Sequence, residues 1–312
     1  MMYVTNDLHG HKALVDKVVH AIESTLEVGD TLIINGDGAG ARGPVMNNLV
    51  KIFYEVRRGE TDFNELLKAL TEIIGQRPEL SKDAVFGAVH AGVFRAFMAE
   101  QYPTFRDCVE RELLMVIEDT LRPISLAAKQ KGVRVIYVPG NGEIVPSDFD
   151  VTDIKVERTL PPEERFYQRI AREGFFAQFG IEYVPYVLRL SPKVLLLSTN
   201  LLDLSTDEAL SLVGESGTET NTVVVHYPPT ATVGRWFHFW NPNRVDIARI
   251  DALMTLLNRL SVHNAIVYFG HIHLSASDAR MEQLPPAIGF GYDGDEKNNG
   301  LWVKPGEVIK II

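Results

Sequence analysis

The chain has 312 residues, 46% apolar and 23% charged. This is a globular balance that excludes the low-hydrophobicity, high-charge composition of disorder, and the length leaves open one large domain with an insertion or two domains. With 31 Lys+Arg against 41 Asp+Glu, the net charge of -10 excludes a broad basic surface for an extended nucleic-acid backbone.

The N-terminal MMYVTNDLHGH lacks both the basic and the apolar segment of a secretory leader. Residues 3–5 form the first of six short β-branched or aliphatic runs; the others are 31–35, 133–138, 194–198, 222–225 and 265–269. Such runs read as buried strands. Between the first two, residues 12–26 place Leu14, Val15, Val18, Val19 and Ile22 at helical spacing, with Lys12, Asp16, Lys17 and Glu23 left for water.

From about 45 to 130 apolar residues recur at three and four, as in Phe63, Leu66, Leu67, Leu70 and Ile73. This predicts a helical insertion, broken into several helices at Gly75, Pro78, Pro103 and Pro123. It would serve as a lid over a site, or as a layer covering a sheet or a dimer contact. Within it lies Cys108, the single cysteine, which excludes an intrachain disulfide and a thiolate metal cluster. Residues 146–192 carry no assignable pattern. The tail, 287–312, alternates glycine-rich turns with the runs 301–303 and 308–312, and is expected to close a sheet. Strand, helix, strand predicts an α/β layered fold. No apolar run reaches membrane-spanning length. The expectation is a soluble, cytoplasmic protein without a membrane partner, and no pattern sets an oligomeric state.

Metal-ligand residue types follow strand after strand. Asp7 and His9 follow the first, Asp37 the second, Asn141 the third, His226 a later one, and His271 and His273 the last. In open α/β sheets, residues distant in sequence converge at the carboxyl edge of the strands. Two residues apart on an extended segment, Asp7 and His9 would point the same way, as would His271 and His273. Carboxylate, imidazole and amide donors without thiolate favour manganese, iron or zinc over calcium. Two such ions about 3.5–4 Å apart could bind a phosphoryl group and activate water.

The ordered blocks NDLHGH, NGDGAG, PGNGE, VVVHYPP and FGHIH, within residues 3–274, resemble the calcineurin-like metallophosphoesterase superfamily. Its pattern runs DxH, GDxx(D/N), GNH(D/E), a lone histidine after a strand, then GHxH. The resemblance implies a single domain, 1–312, with the fold of a four-layer α/β/β/α sandwich of mixed sheets carrying the insertion. It also implies a metal-dependent phosphoester hydrolase with two divalent metal ions. Asp7, His9, Asp37 and His273 would bind one, and Asn141, His226 and His271 would join Asp37 around the other. The expected reaction is attack on a phosphate-ester substrate by a hydroxide bridging the two metals.

Two positions depart from the pattern. Gly142 stands where the family often has a proton-donating histidine, which favours a phosphodiester or an ester with a good leaving group. Gly40 replaces the residue that closes the second block. His11 or His238 could donate the proton instead, although each reads first as a surface or packing histidine. Arg42, in GARGP, could clamp phosphate through its planar fork, although it is out of register with the arginine of the serine/threonine phosphatase branch. With Asp37 and Asn141 it completes the expected catalytic set.

Taken singly, Asp7, Asp37 and Asn141 could be turn or capping residues, and the histidines packed polar groups. Three further readings remain: a serine/threonine-type protein phosphatase, a non-catalytic metal-binding module, and a dinucleotide loop at Gly38, Gly40 and Gly43. The last lacks the second strand with its terminal acidic residue that such a loop requires.

Overall fold

The structure, a computed structural model, describes residues 1–38, 105–141, 143, 165–214, 219–229, 244–260, 262, 265–271, 289–290 and 300–312, with isolated positions between 59 and 72. Two sheets face each other. The first has the order β11-β1-β2-β3-β4, with β1 (Met2–Thr5), β2 (Thr31–Asn35), β3 (Arg134–Val138), β4 (Ile181–Tyr183) and β11 (Ile309–Lys310). β1 to β4 run parallel, and β11 pairs antiparallel with β1 through Tyr3↔Lys310. The second has the order β5-β6-β7-β8-β10-β9, with β5 (Val187–Ser191), β6 (Val194–Leu197), β7 (Thr222–Val225), β8 (Ile266–Phe269), β9 (Gly289–Phe290) and β10 (Gly300–Trp302). Its four central strands are parallel and its two edges antiparallel.

Side-chain alternation assigns the faces. Val4, Ile33, Ile136 and Val138 point from the first sheet into the same cluster as Val194, Leu196, Val224 and Tyr268 from the second. The opposite face of the second sheet, Leu195, Leu197, Val223, Val225 and Val267, is covered by α5 (Thr206–Val213) and α6 (Arg244–Arg259). On α6, Ile250, Leu253, Leu256 and Leu257 are buried, each contributing roughly 1.5–3 kcal/mol by leaving water. The first sheet is covered by α1 (Lys12–Ser24), which buries Leu14, Val15, Val18 and Ile22 and packs against α2 (Phe105–Lys131). Short helices α3 (Phe166–Arg172) and α4 (Phe175–Gln178) precede β4. The architecture is a four-layer α/β/β/α sandwich.

Two expectations change. The helix continues through Pro123. The proline forfeits one backbone bond, about 3 kcal/mol, but the burial of Ile117, Leu121, Ile124 and Ala128 around it outweighs that loss. In addition, the last part of the stretch expected as an insertion is this helix, which is the crossover between β2 and β3 and belongs to the sandwich. Most of 45–104 lies outside the described residues. Among the described residues no helix is long and apolar enough to cross a membrane.

Candidate metal centre

The loops leaving β1, β2, β3, β7 and β8 meet on one rim because these strands are parallel within their sheets. Backbone bonds tie the first two loops together: His9 N donates to Asp37 O at 2.8 Å and Gly10 N to Gly38 O at 2.9 Å. Two asparagines join the sheets. Asn35 Nδ2 donates to Val225 O at 3.0 Å, and Asn6 Nδ2 to Val303 O at 2.8 Å.

Two groups of side chains converge there, Asp7 with His9 and Asp37, and Asp37 with His226 and His271. Within each group the donor atoms lie within 4.8 Å of one another, and every member is buried. Asp37 belongs to both: its Oδ2 is 3.6 Å from His9 Nε2 and its Oδ1 3.4 Å from His226 Nε2. Asn141 Oδ1 approaches His226 Nε2 at 2.9 Å and His271 Nδ1 at 2.7 Å. His226 Nδ1 lies 3.2 Å from Asn35 O, which can only accept, so Nδ1 carries a proton and Nε2 turns toward Asn141 and Asp37. Burial alone would lower the His226 pKa; the carboxylates of Asp37, Asp7 and Glu143 outweigh it and push it up to about 10. The pocket therefore draws positive charge. Its converging carboxylate, imidazole and amide donors could hold a metal ion.

The backbone at the site is strained. Asp7, His9, Asp37 and His271 have φ of 50°, 46°, 47° and 68°, and they are the non-glycine residues with positive φ among the described residues. Left-handed backbone costs an L-residue roughly 1–2 kcal/mol. Asp7 and His9 thus do not converge by the alternation of an extended segment, as the spacing suggested; each sits on a left-handed turn.

Glycines make room for these side chains. A Cβ on Gly36, itself at φ +79°, would lie 2.3 Å from His226 Nδ1, and one on Gly140 would lie 2.5 Å from Asp37 Oδ1. Gly38 of the dinucleotide-like pattern lies against the Tyr137 hydroxyl in the same way.

Sequence reasoning gave no role to Glu143, although it closes the PGNGE block. Its buried carboxylate accepts from Gly38 N at 2.9 Å and the Tyr137 hydroxyl at 2.6 Å through Oε1, and from Asp37 N at 3.0 Å and Gly140 N at 2.7 Å through Oε2. It locks the second loop to the third. Burial, with the charge of Asp37, pushes its pKa up to about 7. Also passed over was a charge network behind the site. Arg165 and Arg249 both donate to Asp203, and Arg249 also reaches the Tyr227 hydroxyl. The available signal was a charged residue on the apolar stripe of α6. His273, Arg42, Gly40, Gly43, Gly142 and His238 lie outside the described residues. His11 occupies the position before α1 and makes no side-chain cap.

No family model matches this sequence, and no curated protein does. Among solved structures, one crystal structure aligns over 98% of this chain and 90% of its own at 14% identity, with a TM-score of 0.43. That likeness is too slight to carry an argument.

Proposed function

We propose that this chain is a metal-dependent phosphoester hydrolase with a dinuclear centre. The observation that carries the reading is Asp37, whose two carboxylate oxygens face two separate buried donor groups. A carboxylate shared in this way reduces the repulsion between two cations. In this reading Asp7, His9 and Asp37, with His273, hold one ion, and Asp37, Asn141, His226 and His271 hold the other. The donor set favours manganese, iron or zinc. Bound there, divalent cations supply charge stabilisation to a phosphoryl group and water of lowered pKa.

The remaining roles belong to the chain. Glu143 holds the Asp37 and Gly140 amides, and so fixes the spacing of the two loops that present Asp37 and Asn141. Asn35 fixes the His226 tautomer. Arg42 is proposed as the clamp on the non-bridging phosphate oxygens. With glycine at 142, the chain offers no histidine there to protonate the leaving group. We therefore assign it a phosphodiester, or an ester whose leaving group departs unaided. The lone Cys108 and the absence of thiolate ligands fit a reducing, cytoplasmic setting.

The test is hydrolysis of an aryl phosphodiester beside its monoester, with chelator-stripped protein reloaded with manganese or zinc. Cation-dependent turnover that favours the diester and is lost in Asp37→Asn is the expected result. Two bound cations without turnover of either ester would instead favour a non-catalytic metal-binding module. Preference for a phosphopeptide would favour the protein phosphatase reading.

A further inference from the structure

Behind His226 and His271, a set of polar contacts runs out of the site into the outer helical layer. Tyr227 directly follows His226 and is fully buried. Its ring centroid lies 4.5 Å from that of His271, tilted by 49°, and 5.9 Å from that of His226. Arg249 Nη1 donates to the Tyr227 hydroxyl at 3.3 Å. Arg249 is itself clamped by Asp203 through two bonds, Nε to Oδ1 at 2.6 Å and Nη2 to Oδ2 at 2.9 Å. From the other side Arg165 donates to Asp203 Oδ2 at 2.6 Å and to Asn200 Oδ1 at 2.6 Å.

The placement of Arg249 makes this more than helix attachment. On α6 it precedes Leu253, Leu256 and Leu257 at helical spacing, so it occupies the stripe that packs on the second sheet. Attachment there needs only another aliphatic side chain. A buried guanidinium is costly unless each of its donors is engaged. Here two of its three nitrogens engage Asp203, and the third donates to the hydroxyl of Tyr227, whose ring lies against His271.

We propose that Asp203, Arg249 and Tyr227 form a positioning chain that fixes the imidazoles of His226 and His271 for cation binding. This rests on the metal reading above. Tyr227 sets the plane against which His271 lies, so that His271 Nδ1 meets Asn141 Oδ1 at 2.7 Å. Arg249 prevents the phenol from sliding, and Asp203 prevents Arg249 from turning. The chain serves the Asp37–Asn141–His226–His271 group; the Asp7–His9 group lies outside it.

The experiment titrates the full-length, chelator-stripped protein with cobalt(II), followed by visible absorption, and with zinc by calorimetry. The variants are Tyr227→Phe, which keeps the ring and removes the hydroxyl, Arg249→Gln and Arg249→Lys. Leu253→Ala, a truncation on the same stripe of α6, reports a purely structural loss. Wild type is expected to bind two cations. Tyr227→Phe and Arg249→Gln should weaken one of them by about 10–100-fold and alter the cobalt spectrum. Arg249→Lys should restore part of the affinity, while Leu253→Ala lowers the unfolding temperature and leaves both affinities unchanged. Wild-type affinities and spectrum in Tyr227→Phe, or weakening matched by Leu253→Ala, overturn the positioning chain and leave the metal reading intact. A wild type that binds no cation overturns both, and that failure is visible before any variant is made.

Discussion

Replacing Asp203 by asparagine should lower stability by about 3–5 kcal/mol near neutral pH, because the carboxylate is the shared counter-ion of two buried guanidinium groups. Arg165 and Arg249 side chains are 2% and 7% exposed, and Asp203 is 15% exposed. Asparagine keeps one acceptor oxygen but presents an amide donor to guanidinium donors. Arginine stays protonated throughout the accessible range, so neither partner can escape by neutralising. The effect also has a signed pH dependence. Burial alone would raise the Asp203 pKa; the hydrogen bond and charge of Arg249 on α6, with Arg165 ahead of α3, outweigh it and hold the carboxyl below its ordinary value. The unfolded chain therefore binds a proton here before the folded chain does. The contribution is complete above the unfolded carboxylate value of about 3.9, and it is lost as pH falls through the lower folded value. The difference between wild type and Asp203→Asn should stay flat from about pH 7 to 5 and shrink below about pH 4. Urea denaturation followed by far-UV circular dichroism, with chelator present so that cation binding does not enter, reads this directly. A difference below about 1 kcal/mol at neutral pH, the scale of a surface ion pair, or one that does not change with pH, would refute the reasoning.

Three further outcomes follow from the site. Gly36→Ala places a Cβ 2.3 Å from His226 Nδ1 on a backbone at φ +79°; the left-handed cost of about 1–2 kcal/mol adds to about 1–3 kcal/mol of overpacking. Denaturation should show both, and calorimetry should show weakened cation binding; an unchanged protein would mean that the loop yields freely. Glu143→Gln turns an amide donor toward at least one backbone donor among Gly38, Asp37 and Gly140, costing about 1–3 kcal/mol for each one left unsatisfied, with cation affinity falling alongside stability; unaltered affinity would remove Glu143 from the support of the site. Finally, manganese or zinc added to stripped protein should raise the unfolding temperature with concentration, reaching about 2.7 kcal/mol of stabilisation at a hundred times the dissociation constant. A midpoint insensitive to either cation would count against the pocket as a metal centre.

The six runs read from sequence as strands fall on β1, β2, β3, β6, β7 and β8, because strands buried on both faces are continuous apolar segments. The strands that escaped notice are short or lie at sheet edges. β4 is Ile181–Tyr183, and β5, whose residues are all half-buried, carries Arg189 in the middle of VLRLS. β4 pairs with β3, far back along the chain, which periodicity cannot report; β5 pairs with β6 directly after it, and the charge of Arg189 hides its apolar run. Pro123 misled for a related reason: a local rule about the missing amide was overridden by tertiary packing of the residues on either side.

At the site, residue types were legible and geometry was not. A histidine or carboxylate after a strand can be read directly, but the left-handed turns that bring Asp7, His9, Asp37 and His271 together have no signature except the glycines beside them. Glu143 stayed hidden because its partners are backbone amides, which every residue has. Arg249 stayed hidden because its counter-ion lies 46 positions away.

That strain and charge concentrate where donors converge predicts a trade between stability and binding, and Asp7→Asn isolates it. Asp7 and Asp37 share a buried group whose donor atoms lie within 4.8 Å of one another. Two carboxylates at that distance repel by about 3–4 kcal/mol at an effective dielectric constant of 20, of which the charge drawn onto His226 cancels a part. Asparagine tolerates the left-handed backbone at φ 50°. Its amide oxygen can still accept from His271 N, as Asp7 Oδ1 does at 3.3 Å. The variant therefore relieves repulsion without opening a cavity. The cation-free protein should gain about 1–3 kcal/mol by urea denaturation, the part of the repulsion not cancelled, while its stabilisation by manganese or zinc falls sharply. A site arranged for stability alone predicts the reverse: a loss without cation and no change in the response to it. Finding that reverse in Asp7→Asn would mean that the buried carboxylates serve the fold rather than a cation.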